Sequence, residues 1–229
     1  MLPDDRLSPH GEHGASSAYP SIGGAPTGAS VAAAMQPHVE HVGYLDRRVR
    51  GWMIAGLVMG HAQAMTSQAI GFLVIDRLGI APQLALEPTG IVLMMGAGAA
   101  LLVQWGVIPL LGLSPRRLVL AGLILAAAGV ALTGLATSLY GIATAYALAN
   151  LGFGFTRPGF TAGSSLAVGP AAQGSVAGKV TSVNGASFVL GPSIGVGLYE
   201  IARPLPYLTA AAALVLLFAY AWAALRERG

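Results

Sequence analysis

Residues 141–167 read GIATAYALANLGFGFTRPGFTAGSSLA, and Arg157 is their only charged side chain. At 1.5 Å per residue such a run covers a hydrocarbon core of about 30 Å. In lipid every backbone N–H and C=O must be satisfied inside the segment, so the stretch predicts a membrane helix. It is not uniformly apolar. Tyr146, Asn150, Arg157 and Ser164 recur at spacings of 4, 7 and 7. At about 100° per residue they fall within ~40° of one another, a polar stripe along one face. Arg157 has two readings: its long side chain snorkels to the headgroups, or it faces a water-filled cavity and meets an anionic or hydrogen-bonding substrate. An intramembrane arginine on a coherent polar stripe favours the cavity. Pro158 removes a backbone donor and bends the helix, and Gly152, Gly154 and Gly159 soften the same region.

Outward from this stretch the pattern repeats. Apolar blocks cover residues 51–75, 89–113, 118–139, 141–167, 175–200 and 205–225, separated by prolines, glycines or charges. Each is long enough to span a bilayer. The fold expected is an all-α polytopic membrane protein, with a six-helix transmembrane domain over 46–229 and a disordered cytoplasmic tail over 1–45. That tail is rich in Gly, Pro, Ser, Ala and His and has no apolar period. Its histidines, His10, His13, His38 and His41, are irregularly spaced and have no acidic partner in register, so a solvated linker is favoured over a metal tract. The first apolar run begins too far from Met1 for a signal peptide.

The whole chain agrees. Of its 229 residues, 12 are Lys or Arg, 9 are Asp or Glu and none is Cys. Charged residues make up 9%, against about 25% in soluble domains. This excludes a water-soluble enzyme, a disulfide-stapled domain and a thiolate metal site. A net charge of +3 is too small and scattered for a nucleic-acid surface. With six spans both termini share one side. That side holds Arg47, Arg48, Arg50, Arg116, Arg117, Lys179, Arg226 and Arg228, and the other holds only Arg77 and Arg203. By the positive-inside rule both termini are cytoplasmic, as in an integral protein of a bacterial inner membrane.

Other polar groups lie at membrane depth. The first block carries His61 and Gln68 on one face, with Gln63, Thr66 and Ser67 roughly opposite. Either face could line a cavity while the other binds a neighbouring helix. The fifth block places Thr181, Asn184 and Ser187 on one side. Its glycine pair Gly174 and Gly178 suits close helix packing, and Gly191, Pro192 and Gly195 suit a bend. Gln104 in the second block is either helix glue or cavity lining. The third and sixth blocks, almost purely Ala, Leu, Val and Gly, are expected to face lipid. No Asp or Glu lies inside a block, so the usual proton carrier is lacking; His61 alone could titrate there near neutral pH.

No histidine follows His61, and there is no P-loop, HExxH or dinucleotide glycine fingerprint. A serine hydrolase built on Ser164 or Ser165 would lack its base. The chain is therefore not expected to be an enzyme or to hold a cofactor or metal.

Four features carry a resemblance. They are the basic loop Leu113-Ser114-Pro115-Arg116-Arg117, the run from Gly152 to Pro158, Gln173-Gly174 with Gly178, and Gly191-Pro192 with Gly195 and Tyr199. In this order they resemble the C-terminal half, helices seven to twelve, of a major facilitator superfamily transporter. The drug:proton antiporter branch that includes tetracycline efflux proteins is the most similar. The resemblance covers about residues 44–225. It implies a six-helix bundle of two inverted three-helix repeats, a small-molecule substrate, alternating access and proton-coupled efflux. It also implies that the N-terminal half, with the coupling acid, is missing, and that the tail matches the loop joining the halves. A second six-helix half, from a homodimer or a separate chain, is the expected partner beside the lipid bilayer. Arg157, Asn150, Tyr146, Gln63, Ser67, His61, Gln104 and Asn184 are the expected cavity residues. The alternative is a truncated, transport-inactive fragment or a structural membrane subunit.

Overall fold

Continuous apolar sequence with few competing side-chain hydrogen bonds leaves the backbone to satisfy itself, and helices result. The computed structural model describes residues 40–225. Most of the expected tail, and Arg226 and Arg228, lie outside them. The chain divides into two units, Met1–His41 and Val42–Gly229, and the second is described here. Its long helices are α1 (Arg50–Leu78), α2 (Leu86–Leu111), α3 (Pro115–Leu135), α4 (Leu139–Leu166), α5 (Pro170–Ile201) and α6 (Leu205–Ala224). No strand occurs among the described residues.

Local chemistry sets the ends. Gly79 and Gly112 take the left-handed conformation, with φ of 62° and 53°, and close α1 and α2. The Ser138 hydroxyl accepts from the Gly141 N–H at 3.2 Å and starts α4. Prolines open α3 and α5 in their first turns. Several boundaries therefore differ from the apolar blocks. α3 stops at Leu135, where Ala136 turns extended, and α5 starts at Pro170. Asp76 and Arg77, expected as loop residues, form the last turn of α1. In α2 the turns over Leu102–Val107 widen to a π-helix just before Pro109, a proline that cannot continue the donor ladder.

Three helices, α2, α3 and α6, are long and apolar enough to cross a membrane. The longer α1, α4 and α5 carry most of the residues expected to line a cavity.

α3 packs along α4, α5 along α1, and α2 along α4; α6 packs on α3 and α1, and α1 also touches α4. These main pairings are unchanged when α1, α2 and α3 are exchanged for α4, α5 and α6. α3, expected to face lipid, has 61% of its apolar stretch buried against its neighbours, compared with 17% for α2, while Ile124, Leu132 and Leu135 stay exposed. Glycine explains this. A Cβ at Gly152 would strike the Ala126 backbone, and one at Gly129 would strike the Ala149 backbone. Without side chains there, α3 and α4 meet backbone to backbone. The core between the helices holds Leu73, Leu123, Ile142, Phe160, Tyr207 and Leu214, all fully buried.

Candidate functional site

The α4 stripe sorts by depth. Tyr146 is buried at 7% exposure. Its hydroxyl donates to Ser67 Oγ on α1 at 3.3 Å. On the α2 side, its ring and the Asn150 amide occupy the space beside Gly96. A Cβ at Gly96 would lie 2.6 Å from the Tyr146 ring and 2.9 Å from Asn150 Nδ2. The missing side chain of α2 thus makes room for two polar groups of α4. Asn150 is half-buried and donates to the Tyr146 carbonyl at 2.9 Å.

Arg157 lies two turns further along and is exposed. Its guanidinium carbon sits 5.5 Å from the centroid of the Phe188 ring on α5, a cation–π distance. Among the described residues it has no ion pair or hydrogen bond. Ser164 departs from the expected stripe. It is fully buried, and its hydroxyl has no hydrogen-bond partner among the described residues. Next to it, Gly163 leaves room for the Trp52 ring, which packs α1 against α4.

The two faces of α1 separate. Ser67, with Gln63 one turn before it, is half-buried and reaches α4. His61 points away from them. It lines an apolar crevice of about 410 Å³ with Ile194, Leu198 and Thr209. Its Nδ1 lies 2.8 Å from the Leu57 carbonyl, which can only accept, so Nδ1 carries hydrogen. Ser67, Tyr146 and Asn150 are therefore brought together and His61 is not. Gln104 is exposed on the π-helical part of α2. Asn184 is half-buried on α5, one turn from Phe188.

The fifth helix differs from expectation. Ser187 is buried, donating to the carbonyls of Val183 at 3.0 Å and Leu57 at 3.4 Å, whereas Thr181 is exposed. The two do not share one polar face, because α1 covers the Ser187 side. Gly191 and Gly195 pack tightly on Ala64 and Met65. Pro192 lies inside the continuous helix, as Pro158 does in α4. Gly174 and Gly178 have nothing within 4 Å, so the expected close packing there is absent within the described residues.

Some charged groups hold the bundle together, which loop-charge reasoning missed. Asp76 accepts from the Tyr199 hydroxyl at 2.7 Å and pairs with Arg203 Nε at 3.2 Å, tying the ends of α1 and α5. Arg77 donates to the Gly134 carbonyl at 2.9 Å, near the end of α3. Arg116 donates to the carbonyls of Leu225 and Trp222 at 2.9 and 2.8 Å, closing the end of α6. Cations suit helix C-termini, where orphan carbonyls gather. The opposite charges of Asp76 and Arg203, each at a block end, were the available signal. Lys179, expected at the cytoplasmic surface, is buried, with Nζ 3.4 Å from Ser175 Oγ and 5.1 Å from the Tyr44 ring.

Outside the apolar helices, Asp46 accepts from the Arg48 backbone N–H at 2.9 Å and pairs with its guanidinium at 2.8 Å. These bonds hold its carboxyl down to about 2. Among the described residues no three His, Asp or Glu side chains converge as a metal site would require. The arrangement presents hydroxyl, amide and guanidinium groups, the donors and acceptors that a polar solute would need. No family model matches this chain, and no curated protein matches it.

Proposed function

We propose that the chain is one half, or one subunit, of a transmembrane transporter of the major facilitator type. In this reading all six helices span the membrane, with both termini in the cytoplasm of a bacterial cell. α1, α2, α4 and α5 line one side of a central cavity. A second six-helix unit supplies the other side, and substrate moves as the two rock against each other.

The observation that carries the reading is the polar row on the α1–α4 seam. Ser67 and Tyr146 are joined by a hydrogen bond, Tyr146 and Asn150 fit beside Gly96, and Arg157 stays exposed beyond them. A charged group at mid-helix among apolar helices is expensive unless water or a ligand meets it. The exchange of packing partners between the first and last three helices supports an inverted repeat. Efflux, in the manner of the drug:proton antiporters, is the direction we favour on the sequence resemblance.

The test is accumulation of a panel of small organic cations and anions in cells expressing the chain. Arg157→Ala should reduce net transport about tenfold or more, the cost of losing a charge-assisted hydrogen bond, and Arg157→Lys should retain part of it. Both variants should keep wild-type helicity. Transport that is identical with and without the chain contradicts the proposal and leaves a structural membrane subunit.

A further inference from the structure

A second cavity, of about 500 Å³, opens where α1 and α3 begin and α4 and α6 end. Its wall includes Arg47, Arg48, Trp52, Ser114, Leu166 and Ala224. The charges are unequal. Arg48 is offset by Asp46 at 2.8 Å. Arg47 is exposed and has no hydrogen bond or ion pair among the described residues. Besides Glu40, which has an interaction of its own, the remaining acids of the described residues are Asp76, Glu87 and Glu200. Asp76, Glu87 and Glu200 sit at the last turn of α1, the first turn of α2 and the end of α5, away from this mouth. Arg50 and Arg117, in the first turns of α1 and α3, add to the positive charge around it. The carbonyls of Leu225 and Trp222, which would oppose an anion, are already bound by Arg116. Trp52, 4% exposed, gives the cavity an aromatic wall.

An arginine with no partner among the described residues, lining one cavity with aromatic and aliphatic side chains at the end of membrane-length helices, suits a ligand with one anionic and one apolar part. We propose that this cavity binds the phosphodiester headgroup of an anionic phospholipid. Arg47 pairs with the phosphate, and Trp52 packs against the glycerol and upper acyl carbons. The site rests on the membrane reading of the chain and not on transport.

The test uses the full chain in a neutral detergent, with Trp105→Phe and Trp222→Phe leaving Trp52 as the only tryptophan. Short-chain phosphatidylglycerol, short-chain phosphatidylcholine and inorganic phosphate are titrated separately while Trp52 emission is followed. Phosphatidylglycerol should give a saturable change. Arg47→Gln should weaken it about fivefold, the factor one arginine carries at a charged lipid surface. Arg47→Lys should restore most of it. Circular dichroism should be the same for all variants, since the Arg47 side chain has no partner among the described residues. Equal responses to both lipids, no effect of Arg47→Gln, or the same response to inorganic phosphate would overturn the proposal; the last would make it a soluble-anion site. A chain that remains in solution without detergent would instead sink the membrane reading.

Discussion

Asp46 and Arg48 show how little sequence separation a strong local effect needs. Their contact holds the Asp46 carboxyl down to about 2, against an ordinary 3.8. Because the folded value is depressed, the pairing stabilises the approach to α1 above the ordinary carboxyl range. That contribution is lost as pH falls from about 3.8 through about 2. In Arg48→Ala the guanidinium contacts are lost but the backbone N–H bond remains, so the Asp46 midpoint should rise part of the way to the ordinary range, as followed by carboxyl NMR titration; an unchanged midpoint would mean that the Arg48 side chain is not the cause. Other residues were legible only in part. The spacing of Tyr146, Asn150 and Arg157 placed them on one face of a helix. It could not say that Ser164, on the same face, ends fully buried, because that depends on how the other helices pack against α4. Nor could it choose between the two faces of α1. The Ser67–Tyr146 bond turns one of them toward α4, and the crevice takes His61.

Helices were the most legible level, since long apolar runs have few other ways to satisfy their backbone. Their ends were less so, because a glycine or proline marks a stop only to within a few residues. Packing was the least legible. α3 reads as a lipid-facing helix by composition, yet Gly122 and Gly129 let it press against α4. Ala, Leu and Gly suit a lipid face and a close helix contact equally well, so composition cannot separate them. Gly152→Leu should therefore destabilise the bundle by about 3 kcal/mol or more, since backbone on the far side leaves no room to relax. Gly178→Leu should be nearly neutral, as its Cβ would meet nothing within 4 Å. Thermal unfolding midpoints of the two variants in detergent check this; equal midpoints would mean that the α3–α4 contact is looser than described.

For the molecule as a whole, three groups stand out among the sparse charges of the described residues. Asp76, Arg77, Arg116 and Arg203 tie helix ends together. Arg47, Arg48 and their neighbours surround an end cavity. Among the described residues, Arg157 alone is a charged group exposed at mid-helix. α2 buries little, and α5 leaves Gly174, Gly178 and Gly185 open. In the proposed transporter these open faces flank the cavity and receive the second six-helix unit. Transport assays depend on guessing a substrate, but water in the cavity does not. The chain has no cysteine, so Asn150→Cys, at mid-depth on α4, gives a single label site, with Leu216→Cys on the outward face of α6 as the comparison. The decisive measurement is the labelling rate of each by a membrane-impermeant maleimide in sealed vesicles. A polar row facing a water-filled cavity predicts that Asn150→Cys labels at least about tenfold faster than Leu216→Cys, as the thiolate that reacts forms readily only in water. Equal rates would place the row against lipid or protein and contradict the transporter.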